Sequence, residues 1–258
     1  MKFSTTSRLA RQQAETLLRE QLRSFLFSKA SVDQILAEGT AGQLDFLLRI
    51  MTDEMERRQV SRRNRLVRQA GFPTPKTLED YDFSRITFPA LLPKDKLLSL
   101  DFIAEKRSLV FYGVCGSGKT HLAMALGYNA CLRGLKVRFM TVSQLVFRLQ
   151  GAREEGRLER FLMDLKALDL LVLDEWGYVP IDRTGAQLLF QVIADSYEHK
   201  SLIITTNLPF SEWGKLVTDE QLAAAMIDRI VHYGHLIETG SRDWRLDHSL
   251  MKDCVTSA

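Results

Sequence analysis

Apolar positions near the start of the chain follow a helical period. Leu17, Leu18, Leu22, Phe25 and Leu26 fall on one face at 3.6 residues per turn. Gly39, Thr40 and Gly42 interrupt the pattern, and a second helical pattern runs from about Gln43 to Gln69. Residues 1–70 contain no proline and no β-rich run, so they predict a small all-helical domain. Gly71-Phe72-Pro73-Thr74-Pro75 ends it, because two prolines and a glycine break a helix and mark a linker.

The pattern changes after about Lys76. Short apolar runs now alternate with helical stretches. "RSLVFYG" reads as a buried strand, followed by a helix from Lys119 to about Leu132. "KVRFMT" is a second strand, and Ser143 is placed to cap the helix after it. "LDLLVLDE" and "SLIITTN" are a third and a fourth. Strands alternating with helices predict an α/β domain over residues 71–258, with a parallel sheet covered by helices on both faces.

Composition adds limits. The 258 residues suffice for one α/β core and a smaller appendage. Residues 1–70 hold 13 Lys+Arg against 8 Asp+Glu, hence +5, whereas the remainder holds 22 against 24, hence −2. The basic excess therefore sits in the helical segment, as expected for a part that meets a polyanion. Cys115, Cys131 and Cys254 show no C-x-x-C spacing, which fits reduced thiols. "MKFSTTSRLARQQAE" lacks the apolar core of a secretory signal, and no run approaches a membrane span. The expectation is a cytoplasmic protein with no membrane partner.

The chemistry is concentrated in "GVCGSGKT". Gly113, Val114, Cys115, Gly116, Ser117, Gly118, Lys119 and Thr120 match G-x-x-x-x-G-K-[ST] between a strand and a helix. Glycines let backbone N–H groups turn inward around phosphates. Lys119 supplies charge at the terminal phosphates, the Thr120 hydroxyl can ligand Mg²⁺, and the helix N-terminus adds positive potential. His121 opens that helix and is counted with the nucleotide-binding residues, in a positional role. Asp174 and Glu175 end the third strand. There an Asp can hold Mg²⁺ and a Glu can activate water, a pairing that argues for hydrolysis over small-molecule phosphotransfer. Asn207 ends the fourth strand, as a γ-phosphate contact or as a turn residue before Pro209.

A P-loop, an Asp-Glu strand and a strand ending in Asn together form the AAA+ ATPase pattern. "GSGKTHLAMALG", "LLVLDEWGYVPIDRTGAQLLFQVI", "SLIITTNLPFSEWG" and "AAAMIDRIVHYGHLIE" resemble the IstB-like family, helper ATPases of bacterial insertion-sequence transposition. "FPTPKTLEDYDFS" looks like that family's entry into its core, and the resemblance spans roughly residues 66–248. That family is related to the bacterial helicase loader and replication initiator. The resemblance implies an oligomer that assembles with ATP and Mg²⁺ on duplex DNA, deforms it, and presents it to a transposase, hydrolysing ATP between subunits. It makes Lys119 and Thr120 the P-loop pair, Asp174 and Glu175 the metal and water pair, and Asn207 the sensor amide. It makes Arg229 the arginine that reaches a neighbour's γ-phosphate and Arg245 the second sensor, with Arg242 as competitor. "GVCGSGKT" departs from the commoner Gly-Pro-Pro opening, and "SRDWRL" from a shorter Tyr-Arg-Leu.

"RRQVSRRNRLVR" packs six arginines into twelve residues. At about 100° per residue, Arg57, Arg58, Arg62, Arg65 and Arg68 share one face. Val60, Leu66 and Val67 lie opposite, with Arg63 among them. A phosphate-binding stripe, a solvated face and an interdomain face are all consistent with this, and Asp53, Glu54 and Glu56 stand close enough to pair. A weaker basic candidate is "FRLQGAREEGRLERF", where glutamates offset three of four arginines. His232 and His235 read as structural, because a metal site needs more ligands. The alternative to the transposition helper is a helicase-loader-type ATPase acting on single strands.

Overall fold

The computed structural model describes residues 8–79, 81–214, 219–240 and 243–244. Arg242 and Arg245 lie outside the described residues. The chain divides into two compact units at Arg62–Arg63.

The first unit is helical: α1 (Arg8–Ser24), α2 (Lys29–Glu38) and the first part of α3 (Ala41–Ala70). Ala14, Leu18 and Leu22 of α1 meet Val32, Leu44 and Leu48 in a small core. Leu26 does not continue the α1 stripe, as its spacing predicts; it takes φ +65° and is 93% exposed. The cause is a helix stop. The Phe27 N–H returns to the Leu22 carbonyl at 3.2 Å around a left-handed residue. Ser28 then caps α2 by accepting from the Ser31 N–H.

The second unit begins with the last turns of α3, where Leu66 and Ala70 are buried among residues of the larger core. Its short helices α4 (Lys94–Ser99) and α5 (Asp101–Ala104) lead into β1 (Ser108–Tyr112), α6 (Lys119–Leu132), β2 (Val137–Thr141), α7 (Val142–Glu154) and α8 (Leu158–Lys166). Then follow β3 (Leu170–Trp176), α9 (Arg183–Ser196), β4 (Ser201–Thr206), α10 (Phe210–Trp213), α11 (Glu220–His232) and β5 (Gly234–Glu238). The strands form one sheet, ordered β2-β3-β4-β1-β5, and every pairing is parallel.

Alternate residues of each central strand enter opposite cores. Val110, Leu171, Leu173, Leu202 and Ile204 pack with α7, α9 and α11, while Leu109, Phe111, Leu170, Val172 and Ile203 pack with α6 and α3. This is the α/β fold expected from the unbroken apolar strands. Two local details differ. The cap of α7 is Thr141, not Ser143, because Thr141 and Gln144 exchange side-chain and backbone hydrogen bonds in a full capping box. The edge strand β5 was not expected; it is five residues long with one fully buried side chain, too little to show a period.

Candidate functional site

The carboxyl ends of the parallel strands carry the site, as topology favours in open α/β sheets. β1 ends at Tyr112 and the loop Gly113–Gly118 leads directly into α6. Gly116 and Gly118 have φ of +75° and +92°, which an L side chain rarely adopts. Ser117 anchors the loop, its hydroxyl 2.7 Å from that of Thr239 just after β5. Lys119 is 6% exposed, and its ammonium donates to the carbonyls of Gly113 and Val114 at 2.9 and 2.7 Å. It is thus held across the loop beside the α6 N-terminus, so charge and dipole act on the same small region.

Val114 and Cys115 are exposed on the loop. His121 is engaged by the segment entering the core: its Nε2 lies 2.9 Å from the Thr77 carbonyl and its ring meets Tyr81 edge-on. It ties the segment entering the core to α6.

Thr120 and Asp174 come together. The Thr120 hydroxyl donates to Asp174 Oδ1 at 2.9 Å, and Asp174 is 5% exposed. The same oxygen accepts from the Thr205 hydroxyl at 2.5 Å. Glu175 follows with an exposed side chain and φ +61°. A left-handed conformation costs a non-glycine residue roughly 1–2 kcal/mol and marks strain of the kind that clusters at functional sites. Asn207 is exposed one residue beyond the pair Tyr112–Thr206, level with the start of the phosphate loop.

One hydroxyl and one carboxylate are the protein oxygens Mg²⁺ uses when phosphates and water complete its shell. Thr120 and Asp174 fit that ion. Among the described residues, no cluster of His, Cys, Asp and Glu is gathered that would cage a metal alone.

Tyr81, Arg85, Tyr178 and Trp244 carry no sequence signal of a role at the site, unlike Ser117 and His121. Tyr81, Arg85, Ser117, His121 and Trp244 line a cleft of about 520 Å³ beside the loop. Tyr81 is drawn in from far upstream, and burial, with help from Asp82, pushes its phenol up to about 12. The Trp244 backbone N–H donates to the Gly116 carbonyl at 3.1 Å, while Arg85 lies over its ring. Tyr178 stands near Cys115, and its hydroxyl is raised by lost hydration and by Cys115, Glu175 and Asp174. Aromatic residues of this kind read as packing in a single sequence.

Arg229 lies in the second half of α11. β5 starts level with the start of β1, so this half lies toward the amino ends of the strands, away from the chain's own loop. Its guanidinium donates to the Ala225 carbonyl and covers the Phe190 ring at 4.9 Å. His232 Nδ1 shares a 2.7 Å hydrogen bond with the Tyr197 hydroxyl. Trp176 and Trp213 pack against each other. All six arginines between Arg57 and Arg68 are exposed on α3. Glu54 engages two of them, Arg58 at 2.7 Å and Arg57 at 3.5 Å. Among the described residues, no helix is long and apolar enough to cross a membrane.

The chain is similar to known proteins in sequence and in fold. A relative of insertion sequence IS5376 from Geobacillus stearothermophilus, named for ATP binding, is 36% identical over 81% of this chain and 83% of its own. One of insertion sequence IS21 from Pseudomonas aeruginosa, also named for ATP binding, is 34% identical over 83% of this chain and 82% of its own. The DnaC helicase loader matches in structure with a TM-score of 0.50 and 26% identity, covering 63% of this chain and 95% of its own. The replication initiator DnaA bound to AMPPCP and single-stranded DNA matches with a TM-score of 0.54 and 21% identity, covering 72% and 56%, a likeness of fold. The family model of the IstB-like ATP binding protein matches residues 16–252, and the chain belongs to that family.

Proposed function

We propose that this chain is a Mg²⁺-dependent ATPase that binds duplex DNA and serves the transposase of an insertion sequence in the cytoplasm. The observation that carries the enzymatic part is the Thr120–Asp174 contact beside the phosphate loop. Backbone N–H groups of the loop and the Lys119 ammonium bind the phosphates. The neighbouring cleft, lined by Tyr81 and Trp244 among others, is the proposed place of the adenine base. Thr120 and Asp174 hold Mg²⁺, which neutralises phosphate charge when bound. Glu175 orients the attacking water and takes its proton, and Asn207 stands near the γ-phosphate end. Arg229 completes the site of a neighbouring subunit, so the active form is an oligomer. Arg245 is proposed as the second sensor.

The transposition context rests on relatives borne by insertion sequences. The exposed α3 arginines support contact with DNA phosphates, which brings affinity without sequence choice. The likeness to the helicase loader keeps a second reading, in which single-stranded DNA and another ATPase are the partners. Electron microscopy and steady-state hydrolysis, each with ATP and either duplex or single-stranded DNA, separate the two. Assemblies and stimulation on duplex DNA support the first. Preference for single strands supports the second, and discrete monomers that ignore both defeat either.

A further inference from the structure

Asp174 and Glu175 stand where β3 loses register with β4. Leu173 pairs with Ile204 and Trp176 with Thr206, so two residues of β3 face only Thr205 of β4. Such a bulge leaves backbone groups without ladder partners and re-aims the side chains around it. Here the hydroxyls of β4 take over. The Thr205 hydroxyl, on a residue 2% exposed, accepts from the Glu175 N–H at 3.1 Å and donates to Asp174 Oδ1 at 2.5 Å. Thr206 does the parallel task one step on. Its hydroxyl donates to the Trp176 carbonyl at 2.9 Å and accepts from the Leu208 N–H at 3.0 Å.

We infer that Thr205 is a positioning residue, whose single hydroxyl fixes both the Asp174 carboxylate and the backbone turn that presents Glu175. A hydroxyl has one proton. Because it goes to the carboxylate, the only role left toward the Glu175 N–H is acceptor, so the network has one arrangement. Asp174 then shows Thr120 and Thr205 the same oxygen, leaving its second oxygen directed by both. Valine at this position would match the shape of threonine and remove both hydrogen bonds. Glu175 would lose the contact that holds its left-handed backbone, and Asp174 would be free to rotate.

The inference rests on the hydrolytic reading, and its test separates the two. Full-length wild type, Thr205→Val and Thr205→Ser are compared in steady-state hydrolysis. They are also compared in binding of a fluorescent ATP analogue, with Mg²⁺ and with EDTA. Partners that orient metal ligands typically account for about 10- to 100-fold in activity or metal affinity. Thr205→Val is expected to lose kcat in that range while KM moves within about threefold. It should also lose most of the affinity that Mg²⁺ adds to the nucleotide. Thr205→Ser keeps the hydroxyl and should retain both. If Thr205→Val equals wild type in kcat and in the Mg²⁺ gain, the inference is wrong. It is equally wrong if Thr205→Ser is as damaged as Thr205→Val, since the methyl group would then be what matters. Should the valine variant not fold, Thr205→Cys, close in size to serine and a poor hydrogen-bonder, carries the same comparison. A wild type that binds nucleotide but never turns it over defeats the hydrolytic reading, and the Mg²⁺ gain still decides whether Thr205 orients Asp174.

Discussion

Thr120 and Asp174 are 54 residues apart in the chain and 2.9 Å apart in space. The contact joins the first turn of α6 to the end of β3, the two places from which the proposed Mg²⁺ site would draw its protein oxygens. Asp174→Asn keeps an acceptor for the Thr120 and Thr205 hydroxyls but removes the charge. It is expected to lower kcat by about 100-fold or more, with thermal stability little changed. Asp174→Ala leaves two hydroxyls unpaired and should lower the melting temperature as well. Hydrolysis assays with parallel thermal melts check both; an active Asp174→Asn enzyme would remove this residue from the mechanism.

Gly113 is required for space. A Cβ there would lie 2.5 Å from Thr239 Oγ1, 2.9 Å from Ser117 Oγ and 2.9 Å from the Gly240 carbonyl. Gly113→Ala therefore forces the loop away from the end of β5. The expected cost is about 1–3 kcal/mol of stability and a clear loss of nucleotide affinity. Adding Thr239→Ala should recover only part, because the Gly240 carbonyl belongs to the backbone and cannot rotate aside. Calorimetric titration with ATP on both variants tests this, and full recovery in the double variant would contradict it.

The phosphate loop was legible because its residues are consecutive and its chemistry needs glycine, lysine and threonine in that order. The place of Asp174 and Glu175 at the carboxyl end of β3 was legible because two acids close the apolar run "LLVL". Thr205 was not, since threonine in a buried strand is ordinary and its role depends on a bulge that no residue type announces. Tyr81 and Trp244 meet beside the loop only through the fold, being 163 residues apart. The stop at Leu26 was hidden because leucine is a poor marker for a left-handed turn. The strand β5 was hidden by its brevity.

Lys200 gives a pH dependence. It is 2% exposed, donating to the Leu165 carbonyl at the end of α8. Burial lowers its ammonium from 10.5 to about 8, with Lys166 adding to the shift and Asp195 opposing it. Between these values the unfolded chain holds a proton that the folded chain has released. More protons on the unfolded state means that stability rises with pH in that window. The contribution is roughly 3 kcal/mol across it. Below pH 8 both states are protonated and the contribution is flat. Lys200→Met should remove this rise, which urea unfolding at several pH values between 7 and 10.5 would reveal. Parallel curves for the two proteins would refute the assignment.

Arg229 rests on the Ala225 carbonyl and the Phe190 ring in an isolated chain. A role at a neighbour's phosphate makes hydrolysis per subunit rise steeply with protein concentration. Arg229→Ala should abolish that rise while binding ATP normally. Mixing Arg229→Ala with Glu175→Gln should restore part of the rate, because some interfaces then hold one intact Glu175 and one intact Arg229. Rates per subunit that ignore dilution, together with no recovery on mixing, would confine Arg229 to its own helix.

The arginines of α3 are not equivalent. Glu54 pairs with Arg58 and Arg57, and Arg58 also covers the Phe25 ring at 4.3 Å. Among the described residues, Arg62, Arg65 and Arg68 have no such carboxylate. These three should therefore carry most of any phosphate binding. Each phosphate contact contributes about 0.9 to the slope of log affinity against log salt on duplex DNA. Arg62→Ala with Arg65→Ala is expected to weaken binding and flatten the slope by about 1.8. Arg57→Ala with Arg58→Ala should flatten it less and lower the melting temperature of the helical unit more. Glu54→Ala, which frees two guanidinium groups, should strengthen binding at low salt. Fluorescence anisotropy over a salt series measures all three variants. An unchanged slope in Arg62→Ala with Arg65→Ala would mean that this face of α3 does not touch DNA.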